Sequence, residues 1–188
     1  MEEEWPQALA EPEVGLAGIL PVHAATIAAA VDQIGRQLGR AVGPEDFEPS
    51  TWAQAELGRG FSAPQLVTAR EVVVAWSRRV TGWWAGGFDL LLLPTLGTAP
   101  PALGAMRWDG GRDRAEVMAT VVAFGAYCPA FNWTGQPAIT LPVGTDADGM
   151  PVGVQLVAAY GREDLLLRVA ARVEEARPWS GRRPRVHA

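Results

Sequence analysis

Apolar residues recur at helical spacing along several stretches of this chain and run without a break in another, and that contrast sets the expected elements. Ile27, Val31, Ile34 and Leu38 make one stripe, which predicts a helix opening at Pro21-Val22 and running to about Gly39. Gly43-Pro44 ends that region. A second helix is expected from Pro49-Ser50 through Trp52 and Leu57, closed by Gly58 to Gly60. Ser62 is a candidate N-cap for a third, carried by Leu66, Val67, Val73, Val74 and Val80 to about Trp84. Phe88-Asp-Leu-Leu-Leu-Leu93, closed by Pro94, has the pattern of a strand buried on both faces. Residues 114–127 return to helix after a Gly- and Pro-rich loop over 95–112. Residues 138–141 and 152–157 read as strands joined by the turn Asp146-Ala-Asp148-Gly149. A last helix starts at Gly161-Arg-Glu-Asp164. Residues 1–21, broken by Pro6, Pro12 and Pro21, are expected to be a loosely ordered entry.

About five helices against three strands is a small sheet for 188 residues. The class this predicts is α/β, a partial mixed β-sheet flanked by helices, with part of the sheet missing. Composition fits a folded chain, with 48% hydrophobic and 20% charged residues. All sixteen basic residues are arginine, and there is no lysine. That excludes Schiff-base chemistry, a P-loop lysine and any Ser-Lys mechanism housed wholly in these residues. Serine is scarce too, at Ser50, Ser62, Ser77 and Ser180, none in a Gly/Ser run.

The net charge of −5 argues against a nucleic-acid partner, and the basic cluster at 182–185 reads as a solvated tail. No window approaches the roughly twenty apolar residues of a membrane span, so no membrane partner is expected. The acidic start is unlike an export leader, and a lone Cys128 fits a reducing compartment, so the expected location is cytoplasmic. Two histidines, His23 and His187, and one cysteine form no ligand spacing, so neither metal nor cofactor is expected.

Two segments carry a more specific signal: FDLLLLPTLGTA at 88–99 and FNWTGQPAITLPVGTDADGMPVGVQL at 131–156. Together with GRAVGPEDFEPSTWAQAELGRGFSA before them and GREDLLLRVAARVEEARPWSGRRP after them, they resemble the C-terminal part of the amidase signature family. The resemblance implies that residues 22–188 are the C-terminal portion of an amidase-signature domain. It further implies hydrolysis of carboxamides by a serine nucleophile, with a second serine in a cis peptide and a lysine base. Those groups lie in the N-terminal half of family members, and their Gly/Ser-rich stretch is absent from this sequence. The implied partners are a small-molecule amide, bound with the missing half, and either that N-terminal half or a second copy covering the cut sheet. The alternative is an inactive truncated remnant acting as a scaffold. Glutamine-using members carry an aspartate seven positions before the motif Asn, where this chain has Gly125, so the resemblance is closer to bacterial amidases acting on apolar or cyclic amides.

Candidate substrate-binding residues are Cys128, Asn132, Trp133, Thr134 and Gln136. Asn132 and Thr134 have a competing role in satisfying backbone groups at a tight turn, with Gly135 in a positive-φ position. Cys128 has one as a small buried hydrophobe. Gln155 is expected to be bonded within the sheet or to a neighbouring loop. Asp89 fits a structural task, orienting a helix or loop by accepting amide hydrogen bonds, Asp146, Asp148, Glu163 and Asp164 fit turn and helix-start positions, and no residue is assigned a catalytic role.

Overall fold

Small side chains let the first helices of this chain pack closely. The computed structural model describes residues 4–108 and 111–182, which fall into two units. The first comprises Pro6–Val80 and Pro100–Ala123. It contains α1 (Pro12–Val14), a π-helical turn (Gly15–Ile19), α2 (Leu20–Leu38), α3 (Pro49–Arg59), most of α4 (Ala63–Gly82) and α5 (Arg114–Phe124). Ala28, Val31 and Ala55 form one buried cluster in it, with Ile27, Val42, Phe47 and Trp52 packed around them. The Phe47 and Trp52 rings stack, and the Arg59 guanidinium lies over Trp52 while bonding Asp32 at 2.7 Å. Ser62 begins α4 with reciprocal hydrogen bonds: its N–H donates to Gln65 Oε1 at 2.8 Å, and Gln65 N–H donates back to Ser62 Oγ.

The entry is more ordered than its prolines suggest. Gln7–Ala10 is a 3-10 helix, and helical backbone continues from Pro12. Tertiary partners hold it there: Trp76 Nε1 donates to Ala8 O at 2.6 Å, Arg79 pairs with Glu11, and Val14 is buried. His23, assigned by sequence to a loose terminal segment, is an exposed residue of α2. The expectation that no window could span a membrane also needs correcting. Gly15–Leu38, 24 residues of mean hydropathy 1.4, is long and apolar enough by length and composition. In this structure Ala24, Ala28 and Val31 of that helix are buried.

Between α2 and α3, Asp46 closes a 3-10 turn (Pro44–Asp46) by accepting two bonds from Arg40, at 2.6 and 2.9 Å, and one from Gly43 N–H at 3.0 Å. These hold its carboxyl down to about 2, the Arg40 hydrogen bond being the larger cause. A depressed folded-state value means that the contribution is full above the unfolded value and is lost as pH falls through the folded one. The stability gap between the chain and Asp46→Asn is therefore expected to be constant from about pH 7 to 5 and to shrink between about pH 4 and 2. Thermal melts across that range test this, and a gap that ignores pH would show that the carboxylate charge plays no part.

The second unit comprises Met1–Trp5, Thr81–Ala99 and Phe124–Ala188. It holds a 3-10 turn (Trp83–Gly86), β1 (Leu90–Pro94), α6 (Pro129–Thr134), β2 (Ala138–Thr145), β3 (Pro151–Ala158) and α7 (Glu163–Ala176). The strand order is β1-β3-β2, and both pairings are antiparallel, with no parallel pair among the described residues where a mixed sheet was expected. One face packs Leu141, Leu156 and Ala158 against Leu166 of α7, joined by Val169, Ala170 and Val173. Fully burying a leucine such as Leu141, Leu156 or Leu166 contributes about 1.5–3 kcal/mol.

The run from Phe88 to Leu93 is not the doubly buried strand expected. Leu91 is buried, but Leu92, on the opposite face, is 47% exposed, and among the described residues β1 ends the strand order. The tail beyond Arg182, with His187, lies outside the described residues.

Candidate functional site

At the C-terminal end of β1 the chain leaves the sheet through Thr95, and several polar groups converge there. Thr95 N–H donates to Gly153 O at 3.2 Å, and its hydroxyl meets the Thr140 hydroxyl at 3.4 Å. The approach is tight enough that a Cβ on Gly153 would sit 2.9 Å from Thr95 Oγ1. Cys128 Sγ donates to Thr95 O at 3.2 Å from a half-buried position. The thiol is thus tied to the strand end rather than sealed in an apolar core.

Cys128 also opens α6, an element that periodicity did not reveal. Pro129 stands in the first turn, Phe131 is buried, and Gly135, six residues after Pro129, stops the helix at φ 74. Six residues are too few to show a 3.6-residue period, so the segment read as a loop. The Thr134 hydroxyl donates to Gln136 Oε1 at 3.0 Å, Gln136 Nε2 reaches Ala158 O at 3.5 Å, and the Tyr160 hydroxyl donates to Thr134 O. Ala158 N–H donates to Pro137 O at 3.1 Å and brings β2 into register with β3.

The five candidate residues therefore separate. Thr134 and Gln136 are buried and bonded to each other, and Gln136 Nε2 also reaches Ala158 O. Asn132 is exposed and Trp133 half-buried. Asn132, Trp133 and Cys128 keep surface for a ligand. Sequence reading missed Thr95, Thr140 and Tyr160. Thr95 lies inside the quoted LPTLGT run, while Tyr160 has no local signal, since its partner is 26 residues away.

Gln155 departs from expectation. It faces Leu93 on one side and Thr140 on the other in the sheet register, is 4% exposed, and its Nε2 has no hydrogen-bond partner. The indole N–H of Trp84 is likewise buried without a partner.

Chemically the cluster offers hydroxyls, a thiol and main-chain groups, but no base. The carboxylates held below their usual range lie elsewhere: Asp46 in its turn, and Asp164 at the start of α7, lowered first by a hydrogen bond from Arg162. Ser50 and Ser77 are helical, Ser62 caps α4, and Ser180 is exposed near the end of the described chain. Among the described residues no group of three or more His, Cys, Asp or Glu is placed to hold a metal.

The family model for amidases matches residues 10–167. The chain belongs to the amidase signature family. It is 36% identical over 191 residues to the 6-aminohexanoate-cyclic-dimer hydrolase of Pseudomonas sp. (strain NK87), covering 99% of this chain and 38% of that protein. The protein of the same name from Paenarthrobacter ureafaciens is 37% identical over 164 residues, covering 85% of this chain and 33% of its own length. A solved structure of 6-aminohexanoate cyclic dimer hydrolase superposes with a TM-score of 0.86 at 34% identity, over 98% of this chain and 39% of that one. A bacterial aryl acylamidase of the amidase signature enzymes shares the fold at a TM-score of 0.70 and 20% identity. The chain thus spans about two-fifths of the length of the relatives it matches. Its small antiparallel sheet with flanking helices is part of the amidase-signature fold.

Proposed function

We propose that this chain is the C-terminal, substrate-pocket and scaffold portion of an amidase that hydrolyses carboxamides by a Ser-cisSer-Lys mechanism, the catalytic groups being supplied by the remainder of the fold. The observation that carries the reading is the combination of family membership with a sequence that has no lysine and no serine in a glycine-rich cradle. A serine hydroxyl without an adjacent base is a poor nucleophile at neutral pH. In this reading Cys128, Asn132 and Trp133 face the acyl or amide side of the substrate, while Thr134 and Gln136 position the segment that bears them. The cyclic amide named for two of its relatives is the first substrate to try, consistent with Gly125 where glutamine-using members carry an aspartate. The single cysteine supports placing the protein in the cytoplasm.

The purified chain is expected to turn over neither the 6-aminohexanoate cyclic dimer nor an aryl amide. A chimera with the unmatched part of the Pseudomonas hydrolase fused ahead of it is expected to hydrolyse the cyclic dimer. Turnover by the chain alone, abolished by Cys128→Ala or by removal of any of the four serines, would overturn the reading.

A further inference from the structure

We propose that the groove between α7 and the end of β2 is a binding site for an alkyl carboxylate, an unbranched apolar chain with one anionic head. The residue spacing of α7 builds it. Leu165, Val169 and Val173 recur every four residues as one half-buried apolar row, and Arg168 and Arg172 recur at the same interval on the neighbouring row. The two rows run side by side for about 12 Å, from Leu165 to Val173 at 1.5 Å per residue. Val169 and Val173 also pack on the core cluster of the sheet, so the apolar row is fixed before any ligand arrives.

β2 supplies the other wall. Its pairing with β3 skips Val143, between Pro142 and Gly144, so the strand bulges there. A bulge takes a residue out of the ladder, and Val143 O accepts a hydrogen bond from Arg177 Nη1 at 3.4 Å. Val143 and Arg177 both line the groove. Its volume of about 900 Å³ falls within the range of about 300–1,000 Å³ usual for small-molecule sites.

Charge selects the head of the ligand. Arg168, Arg172 and Arg177 line the groove against one carboxylate, Glu175, in a chain whose net charge is −5. Arg168 and Arg172 stand one turn apart, a like-charge spacing that destabilises a bare helix and that an anion between them relieves. Their present partners hold them weakly. Arg168 meets Asp164 only at 3.8 Å, and Arg172 meets Glu175 at 2.8 Å with both side chains mostly exposed. Exposed pairs of this kind contribute little and exchange readily for another carboxylate. The cleft at the end of α2 also gathers arginines, but there Arg40 and Arg59 are committed to Asp46 and Asp32 at 2.6 and 2.7 Å. A small inorganic anion would leave the row of Leu165, Val169 and Val173 uncovered, whereas an alkyl chain covers it.

Titrating octanoate into the chain and following its backbone amides by NMR tests this without any turnover, so the result is separate from the proposed function. Saturable shifts are expected at Val143 and over Leu165–Arg177. From hexanoate to decanoate, affinity is expected to rise about twofold per methylene, half the effect of full burial, since the groove covers one side of the chain. Arg168→Gln combined with Arg172→Gln is expected to weaken octanoate about tenfold. Glu175→Gln, which frees Arg172, is expected to tighten it about threefold. Octylamine, with the same chain and the opposite charge, is expected not to compete. Equal binding of acetate and octanoate would mean an adventitious anion only. Unchanged affinity in the double arginine variant would mean an apolar contact that does not recognise the head. Shifts that do not saturate, or that lie outside α7 and β2, would remove the site, and binding of an acidic amphipathic peptide but not of octanoate would make the occupant a protein segment. Any of these four results overturns the proposal.

Discussion

Replacing Gly58 by alanine is expected to unfold much of the α2–α3 pair, the largest single-residue effect in this chain. A Cβ at position 58 would fall on the carbonyl oxygen and carbon of Ala24 and 2.8 Å from Ala25 N. All three are main-chain atoms of α2, so no rotamer change relieves the overlap and one helix has to move bodily. Overpacking a core usually costs about 1–3 kcal/mol and occasionally more, and a main-chain collision belongs at the upper end. The gain of about 1 kcal/mol from alanine over glycine in a helix does not offset it. Against a total stability of about 5–15 kcal/mol for an ordinary domain, the loss is a large share. Urea unfolding followed by circular dichroism reads it. Gly82→Ala is the control, because nothing lies within 4 Å of its Cβ position, and it is expected to be neutral or mildly stabilising. Equal midpoints for the two variants would refute the close-packing account.

Gln155→Met should act in the opposite direction and raise the stability of the chain. The buried Nε2 has been taken from water with no hydrogen bond in exchange. Leaving such a group unsatisfied costs about 1–3 kcal/mol, whereas an apolar side chain of the same length carries no such penalty. Thioether flexibility also lets methionine fill the same volume between Leu93 and Thr140 without strain. A gain of about 1–2 kcal/mol in urea unfolding is expected. A loss instead would mean that the Gln155 amide has an acceptor in solution. Gln155→Glu is the companion variant: it keeps the shape and adds a charge at the same buried point, so it is expected to destabilise.

The periodic stretches were legible because their burial is one-sided. The α2 stripe of Ile27 and Val31, the Ser62 cap and the amphipathic α7 each declare themselves within one or two turns. Residues 138–141 and 152–157 were legible as strands for the same local reason. The short α6 and the ordered entry were not, since a six-residue helix shows no period and the entry is held by Trp76 and Arg79, 68 residues along the chain from their partners. In the site, the FNWTGQPA motif gave the positive-φ Gly135 correctly but did not separate exposed Asn132 from buried Thr134. That separation depends on Gln136, Ala158 and Tyr160, which the fold alone brings together.

By itself the sequence determined the family and one limit on the chemistry: its motifs resemble those of the amidase signature family, and it holds no lysine for a Ser-cisSer-Lys centre. Those properties depend on which residues are present, and no fold can add a missing side chain. The tertiary structure decided the rest, because hydrogen-bond parity and packing distance are relations between distant segments. It showed that Leu92 of β1 is exposed beside a buried Leu91, that Thr134 and Gln136 are bonded to each other, and that α2 and α3 touch through Gly58.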